Sequence, residues 1–132
     1  MLLIGLQNPT SQAVLADGLI TLGSTYRKFD TPNECGTLAF DTTATSITLN
    51  RKGIYHVTAN FYPAAAFAGI ITLNINGTPT TAIANGENLT IDYYVIVDCT
   101  NGWTSNAQTI TFTSDTAVTL DNVVVNVTKE VA

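Results

Sequence analysis

Charge is the scarcest ingredient of this 132-residue sequence. Asp, Glu, Lys and Arg together make up 11% of it, less than half of the roughly 25% usual in soluble domains. Five basic residues against ten acidic ones leave a net charge of −5 and a pI near 4.4. The five basic residues include two adjacent pairs, Arg27–Lys28 and Arg51–Lys52, but no stripe long enough to neutralise a phosphate backbone. Nucleic acid and anionic membrane surfaces are therefore excluded as expected partners. Cysteine is equally sparse. Cys35 and Cys99 belong to no CxxC and no Cys/His cluster, which argues against metal ligation. A disulfide and two free thiols both fit, with free thiols favoured.

Long apolar runs are missing too. No stretch approaches the roughly 20 residues of a transmembrane helix. The apolar run at the N-terminus, Leu2 to Leu6, lacks a basic flank and is interrupted by Gln7, Asn8 and Pro9. It reads as a first strand and not as a secretion signal. Three sequons, at Asn76, Asn88 and Asn126, are chance matches in a chain so rich in Asn and Thr. A long helix is absent as well: "PAAAFAG", Pro63 to Gly69, is short and bounded by Pro and Gly, which makes it a loop.

What remains is a succession of short β-rich runs. Strands are expected near residues 2–6, 18–22, 26–29, 37–40, 46–49, 54–61, 70–76, 80–84, 89–97, 109–113, 117–120 and 123–128. Asn76-Gly77 favours a hairpin turn with positive φ. Asn85-Gly86 and Asn101-Gly102 mark further turns, and "TSDT" and "LDN" separate the last three runs. About ten short strands at such spacing predict a sandwich or barrel, in one domain over residues 1–132.

The stretch "GIYHVTANF", Gly53 to Phe61, sharpens this. Tyr55, Val57, Ala59 and Phe61 fall in one phase and Ile54, His56, Thr58 and Asn60 in the other, as in a strand with one apolar face. The second phase mixes Ile, His, Thr and Asn and carries no Lys, Glu or Asp. In "NLTIDYYVIVD", Leu89, Ile91, Tyr93, Val95 and Val97 form one face, and Thr90, Asp92, Tyr94, Ile96 and Asp98 the other. Outward faces that are themselves half apolar suit a chain covered by something, copies of itself included. A Thr-rich extracellular or phage β-protein fits the same composition.

"GIYHVTANF" resembles the Gly-hydrophobic-Tyr strand motif of the trimeric jelly rolls related to tumour necrosis factor and the complement 1q globular head. "LAFDTTATSITLNRKGIYHV" is similar to that family's run leading into Gly-x-Tyr, "GIITLNINGT" to its following hairpin strand, and "VVVNVTKE" to its closing strand. The resemblance spans residues 37–132. In texture the chain also resembles small structural proteins of tailed bacteriophages. The resemblance implies an all-β antiparallel jelly-roll β-sandwich that forms a homotrimer. The Tyr55 phase fills the sandwich. Ile54, His56, Thr58 and Asn60, joined by Tyr94 and Ile96, meet their symmetry copies. Thr, Asn and neutral His tolerate convergence on an axis where three like charges would repel. On this reading, protonation of three His56 side chains weakens the trimer on acidification.

Catalytic chemistry is not advertised. His56 has no nucleophile or carboxylate at a motif spacing, and no nucleophile elbow or phosphate-cradling loop is present. Asp92, Asp98, Asp115 and Asp121 read as isolated carboxylates. Some trimeric jelly rolls hold calcium near their axis, but no Asp-x-Asp-x-Asp loop occurs here, so neither a metal nor another cofactor is expected. Trp103, in "CTNGWTSNAQ", either closes one end of the sandwich or serves as a stacking or partner-contact residue, and Phe67 in the Ala-rich loop poses the same choice.

These readings converge on a non-enzymatic bacteriophage virion protein. It is expected on the capsid exterior as a homotrimeric decoration or head-fibre component, partnered by the major capsid protein or another virion protein. Residues 1–16 are a candidate attachment or swapped-strand segment, and the absence of a stalk before the domain favours a capsid-bound knob. The alternative is a receptor- or host-glycan-binding module using Trp103, Tyr62 or Asp98.

Overall fold

The computed structural model describes residues 1–86, 89–100 and 104–131, and within them the chain is all β. Two antiparallel sheets stack face to face. The first is ordered β3 (Ser24–Phe29), β1 (Leu2–Asn8), β13 (Val118–Val131), β6 (Gly53–Pro63) and β9 (Thr90–Val97). In it β2 (Gln12–Val14) pairs with the start of β13. The second is ordered β4 (Phe40–Thr42), β5 (Ile47–Leu49), β12 (Gln108–Ser114), β7 (Ile70–Ile75) and β8 (Thr78–Asn85). A small hairpin of β10 (Cys99–Thr100) and β11 (Thr104–Ser105) follows β9.

Alternation dictates the core. From β6, Tyr55, Val57, Ala59 and Phe61 point between the sheets, each almost fully buried. Val123, Val125 and Val127 of β13 and Ile91, Val95 and Val97 of β9 join them. The facing sheet contributes Phe40, Ile47, Leu49, Ile71, Leu73, Ile110 and Phe112. Edge-to-face contacts tie the layers, with ring centroids 5.8 Å apart for Phe40–Tyr55 and 5.5 Å for Phe61–Phe112. Each such side chain contributes roughly 1.5–3 kcal/mol by leaving water. The Tyr55 hydroxyl crosses to the end of the sandwich and donates to the Arg51 carbonyl at 2.5 Å. The expected hairpin joins β7 to β8, with Asn76 at φ 52° and Gly77 at φ 80°. Those paired positive values suit the right-handed twist of the flanking strands.

Three expected features form differently. Residues 18–22 make one bridge, Leu19 to Thr113, and otherwise run as an extended cover, with Ile20 and Leu22 fully buried. Thr21 is satisfied not by a neighbouring strand but by the Gln12 carboxamide, which accepts from its N–H at 2.9 Å and donates to its carbonyl at 2.8 Å. Residues 37–39 are held by side chains: Asn33 Oδ1 accepts from Thr37 N, and Asp30 caps Ala39 N and Phe40 N. A strand therefore starts only at Phe40.

The third difference is at "LDN", which is not a turn. Leu120 pairs with Pro63 and Asn122 with Tyr62, so Asp121 is an extra residue in one continuous strand, a β-bulge. The "TSDT" segment does interrupt the strands, with residues 115–117 connecting β12 to β13. The Ala-rich segment after β6 is a loop.

Candidate functional site

Register assembles the outer face of the first sheet. Ile54 lies opposite Ile96, His56 opposite Tyr94, Thr58 opposite Asp92 and Asn60 opposite Thr90. On the other flank, Thr128, Asn126 and Val124 of β13 stand beside His56, Thr58 and Asn60, and beyond them come Leu3, Gly5 and Gln7 of β1. The six residues expected to share a face, Ile54, His56, Thr58, Asn60, Tyr94 and Ile96, are thus brought together. On the β9 margin, Tyr94 and Ile96 retain 57% and 63% exposure.

His56 sits in a cluster that the β6 pattern alone did not reveal. Its ring stacks on Tyr94, centroids 4.6 Å apart and planes 12° from parallel. Nε2 hydrogen-bonds Asp92 Oδ1, and Nδ1 lies 3.7 Å from Glu130 Oε1. Glu130 reaches it through a second irregularity in β13, between Lys129 and Val131. The face is therefore not free of charge: Asp92 and Glu130, contributed by the two strands flanking β6, supply carboxylates to both nitrogens of the ring. The two carboxylates approach opposite nitrogens and share no common point. Among the described residues, no group of three or more His, Cys, Asp or Glu side chains could hold a metal ion.

The opposite margin of the same face has a different chemistry. Every residue of β3 is exposed. Tyr26 Oη donates to Asn126 Oδ1 at 2.6 Å, and Arg27 Nε donates to the same oxygen at 3.0 Å. Both lie over Gly5, where an added Cβ would sit 2.6 Å from that oxygen and 2.7 Å from the Tyr26 ring. Glycine here lets the β3 side chains fold down onto the sheet. Phe29, opposite Leu3, keeps 57% exposure. One margin is thus aromatic and basic (Tyr26, Arg27, Phe29), and the other aromatic, aliphatic and acidic (Tyr94, Ile96, Asp92).

The other candidates do not gather. Asp115 caps the β7 start, accepting from Ile70 N at 2.8 Å and from the Thr116 hydroxyl at 2.9 Å, and these bonds hold its carboxyl below the usual range. Asp121 occupies its bulge, and Asp98 follows β9 at the far end. Tyr62 is half exposed. Phe67 is half-buried and packs against the core, leaving alanines as the outer surface of its loop. Cys35 is an exposed free thiol. Trp103 lies outside the described residues, as do Asn101, Gly102 and the Cys99 side chain.

No family model matches the chain, and no curated protein matches it in sequence. Solved structures do match in shape. Rabbit GITRL, of the tumour necrosis factor family, superposes with a TM-score of 0.61 at 10% identity, covering 98% of this chain and 94% of that one. The PRD1 phage vertex protein P5 superposes with a TM-score of 0.60 at 15% identity, covering 96% and 93%. At these identities the likeness is one of fold, and the fold is a TNF-like jelly roll.

Proposed function

We propose that this chain is a non-enzymatic structural protein of a bacteriophage virion, a homotrimer carried on the capsid exterior as a decoration or head-fibre component. The observation that carries the reading is the outer face of the first sheet. It leaves Tyr94, Ile96, Tyr26 and Phe29 exposed on a protein with few charges, and apolar area of this kind on a folded domain marks an interaction surface. The fold shared with a phage vertex protein supplies the setting.

The two unlike margins favour a ring. A cyclic trimer is built head to tail, so each copy must present two different, complementary surfaces. Five strands spaced about 4.8 Å apart separate β3 from β9 by roughly 19 Å, too far for the margins to meet within one chain. In a ring the acidic β9 margin of one copy meets the basic β3 margin of the next, with Asp92 facing Arg27 and Tyr94 and Ile96 against Tyr26 and Phe29. The polar centre, Thr58, Asn60, Asn126 and His56, lies toward the axis. The major capsid protein or another virion protein is the partner that holds the trimer in place.

Native mass by light scattering at low micromolar concentration is the test. The expected result is a single species at three times the 14.0 kDa chain mass. A monomer would show that the outer face is merely wet and would remove the trimer from this reading. An antibody raised against the protein is expected to label many sites on intact particles; labelling absent from purified virions would end the virion assignment.

A further inference from the structure

At the end of the sandwich where β6 finishes and β13 begins, two segments of unusual composition meet. Ala64–Ala68 and Thr116–Thr119 enclose a cleft of about 480 Å³. Ala64 N donates to Thr119 O at 2.9 Å, fixing one wall against the other. Five of its nine lining residues are alanines, and Phe67 and Val118 are its larger apolar members.

On the far flank of β13, Val14 pairs with Val118, so the loop that follows it borders the same end. Two strand spacings put that loop about 10 Å from the alanine wall. This loop holds Leu15 and Leu19 out in water, at 77% and 52% exposure. It is not slack. Asp17 N donates to Ser114 O at 2.7 Å and Gly18 N to Leu15 O at 2.9 Å. Asp17 adopts φ 62°, a region that few non-glycine residues enter. A tethered turn that displays two leucines beside an alanine-walled cleft is a built apolar surface.

Its charges have one sign: Asp17 stands in the Leu15 loop, Asp115 adjoins Thr116 of the cleft wall, and Asp121 occupies the bulge two residues past Thr119. The five Lys and Arg residues lie from mid-sheet to the opposite end. Arg27 and Lys28 stand opposite Gly5 and Ile4, Arg51 and Lys52 precede β6, and Lys129 pairs near the β6 start. Among the described residues this end is therefore apolar, acidic and without a Lys or Arg.

We propose that this end is a docking site for a basic segment of another protein, an extended peptide in which Lys or Arg alternates with small apolar side chains. The apolar residues enter the alanine-walled cleft and cover Leu15 and Leu19, while the cations meet Asp17, Asp115 and Asp121. Small walls select small side chains, and the uniformly negative rim selects against acidic segments. The site lies outside the face assigned to the ring and does not need it. If the ring forms, cyclic symmetry turns three copies of this end the same way, and three weak contacts act together.

A short fluorescein-labelled peptide alternating Lys and Val is the probe, with a counterpart carrying Glu for Lys, both titrated into the full chain. The Lys peptide is expected to bind, with amide shifts confined to residues 15–19, 64–68 and 116–121 and binding that weakens as salt rises. Leu15→Ser with Leu19→Ser, and separately Ala66→Trp, each weaken it by about tenfold. These positions are at the surface, and two independent variants guard against one that misfolds. Equal binding of the Glu peptide, shifts on the Asp92–Glu130 face instead, or unchanged affinity in both variants would overturn the proposal. So would a native mass that falls in the leucine variant, since the occupant would then be a second copy. Native mass measured on the same samples keeps this outcome separate from the fate of the trimer reading.

Discussion

The two phases of β6 share one backbone and differ in what stands opposite them. Tyr55, Val57, Ala59 and Phe61 meet the second sheet and lose essentially all contact with water. Ile54, His56, Thr58 and Asn60 have no second layer above them and remain half-buried, covered by their own neighbours on β9 and β13. The inner phase can be read as energy: close-packed, apolar and joined by edge-to-face rings. The outer phase holds few large apolar groups of its own and depends on cross-strand partners, such as Tyr94 stacked on His56 and the Thr90 hydroxyl donating to Asn60 Oδ1 at 2.8 Å. The difference separates two tasks. One face stabilises the fold, and the other is the face proposed to meet something outside it.

Phe61→Ala breaks the inner side most severely. Removing a ring buried against Phe112 leaves a cavity and costs about 3–5 kcal/mol, read as a lowered denaturant midpoint. A loss below about 1 kcal/mol would mean that this end of the core is loosely packed. On the outer side, Ile96→Glu leaves the stability of the single chain within about 0.5 kcal/mol, since Ile96 is 63% exposed. In the proposed ring the same change is expected to raise the trimer dissociation constant by about tenfold or more, because it sets a carboxylate against the Tyr26 and Phe29 rings of the next copy. Sedimentation at falling concentration checks this, and an unaltered assembly would take β9 out of the interface.

Tyr55 offers the smallest and sharpest test, because it belongs to the inner phase yet carries a polar group. Burial pushes its hydroxyl pKa up from 10.0 to about 12, outweighing the hydrogen bond to Arg51, which acts the other way. The folded value lies above the unfolded one. The contribution is therefore complete below about pH 10 and is lost as pH rises toward 12. Tyr55→Phe is expected to lose about 1 kcal/mol at neutral pH and to flatten the alkaline decline. Denaturation at pH 7 and pH 11 measures both, and an identical decline in the two proteins would assign it to other groups.

Much of this was legible in the residues. Alternation identified the core phase of β6, β9 and β13, and Asn76-Gly77 announced its hairpin. The six face residues could be grouped because side-chain phase is a local property of an extended chain. The illegible parts depend on pairing between distant segments. Nothing in "GIYHVTANF" says that β6 lies between β9 and β13, and so nothing there brings Asp92 and Glu130 to His56. The "LDN" segment has the composition of a turn, yet strands on both sides hold it as a bulge. Residues 18–22 have the composition of a strand, yet the Gln12 side chain takes the place of a ladder partner.

The sequence by itself determined an all-β sandwich with one buried phase per strand, because period-two alternation and turn chemistry act within a few residues and need no knowledge of neighbours. Tertiary structure alone decided which strands are adjacent, how the carboxylates flank the single histidine, and that the Leu15 loop and the alanine loop border one acidic, apolar end. Those outcomes follow from register and strand order, and these are fixed only when the two sheets close on each other and bury their apolar faces together.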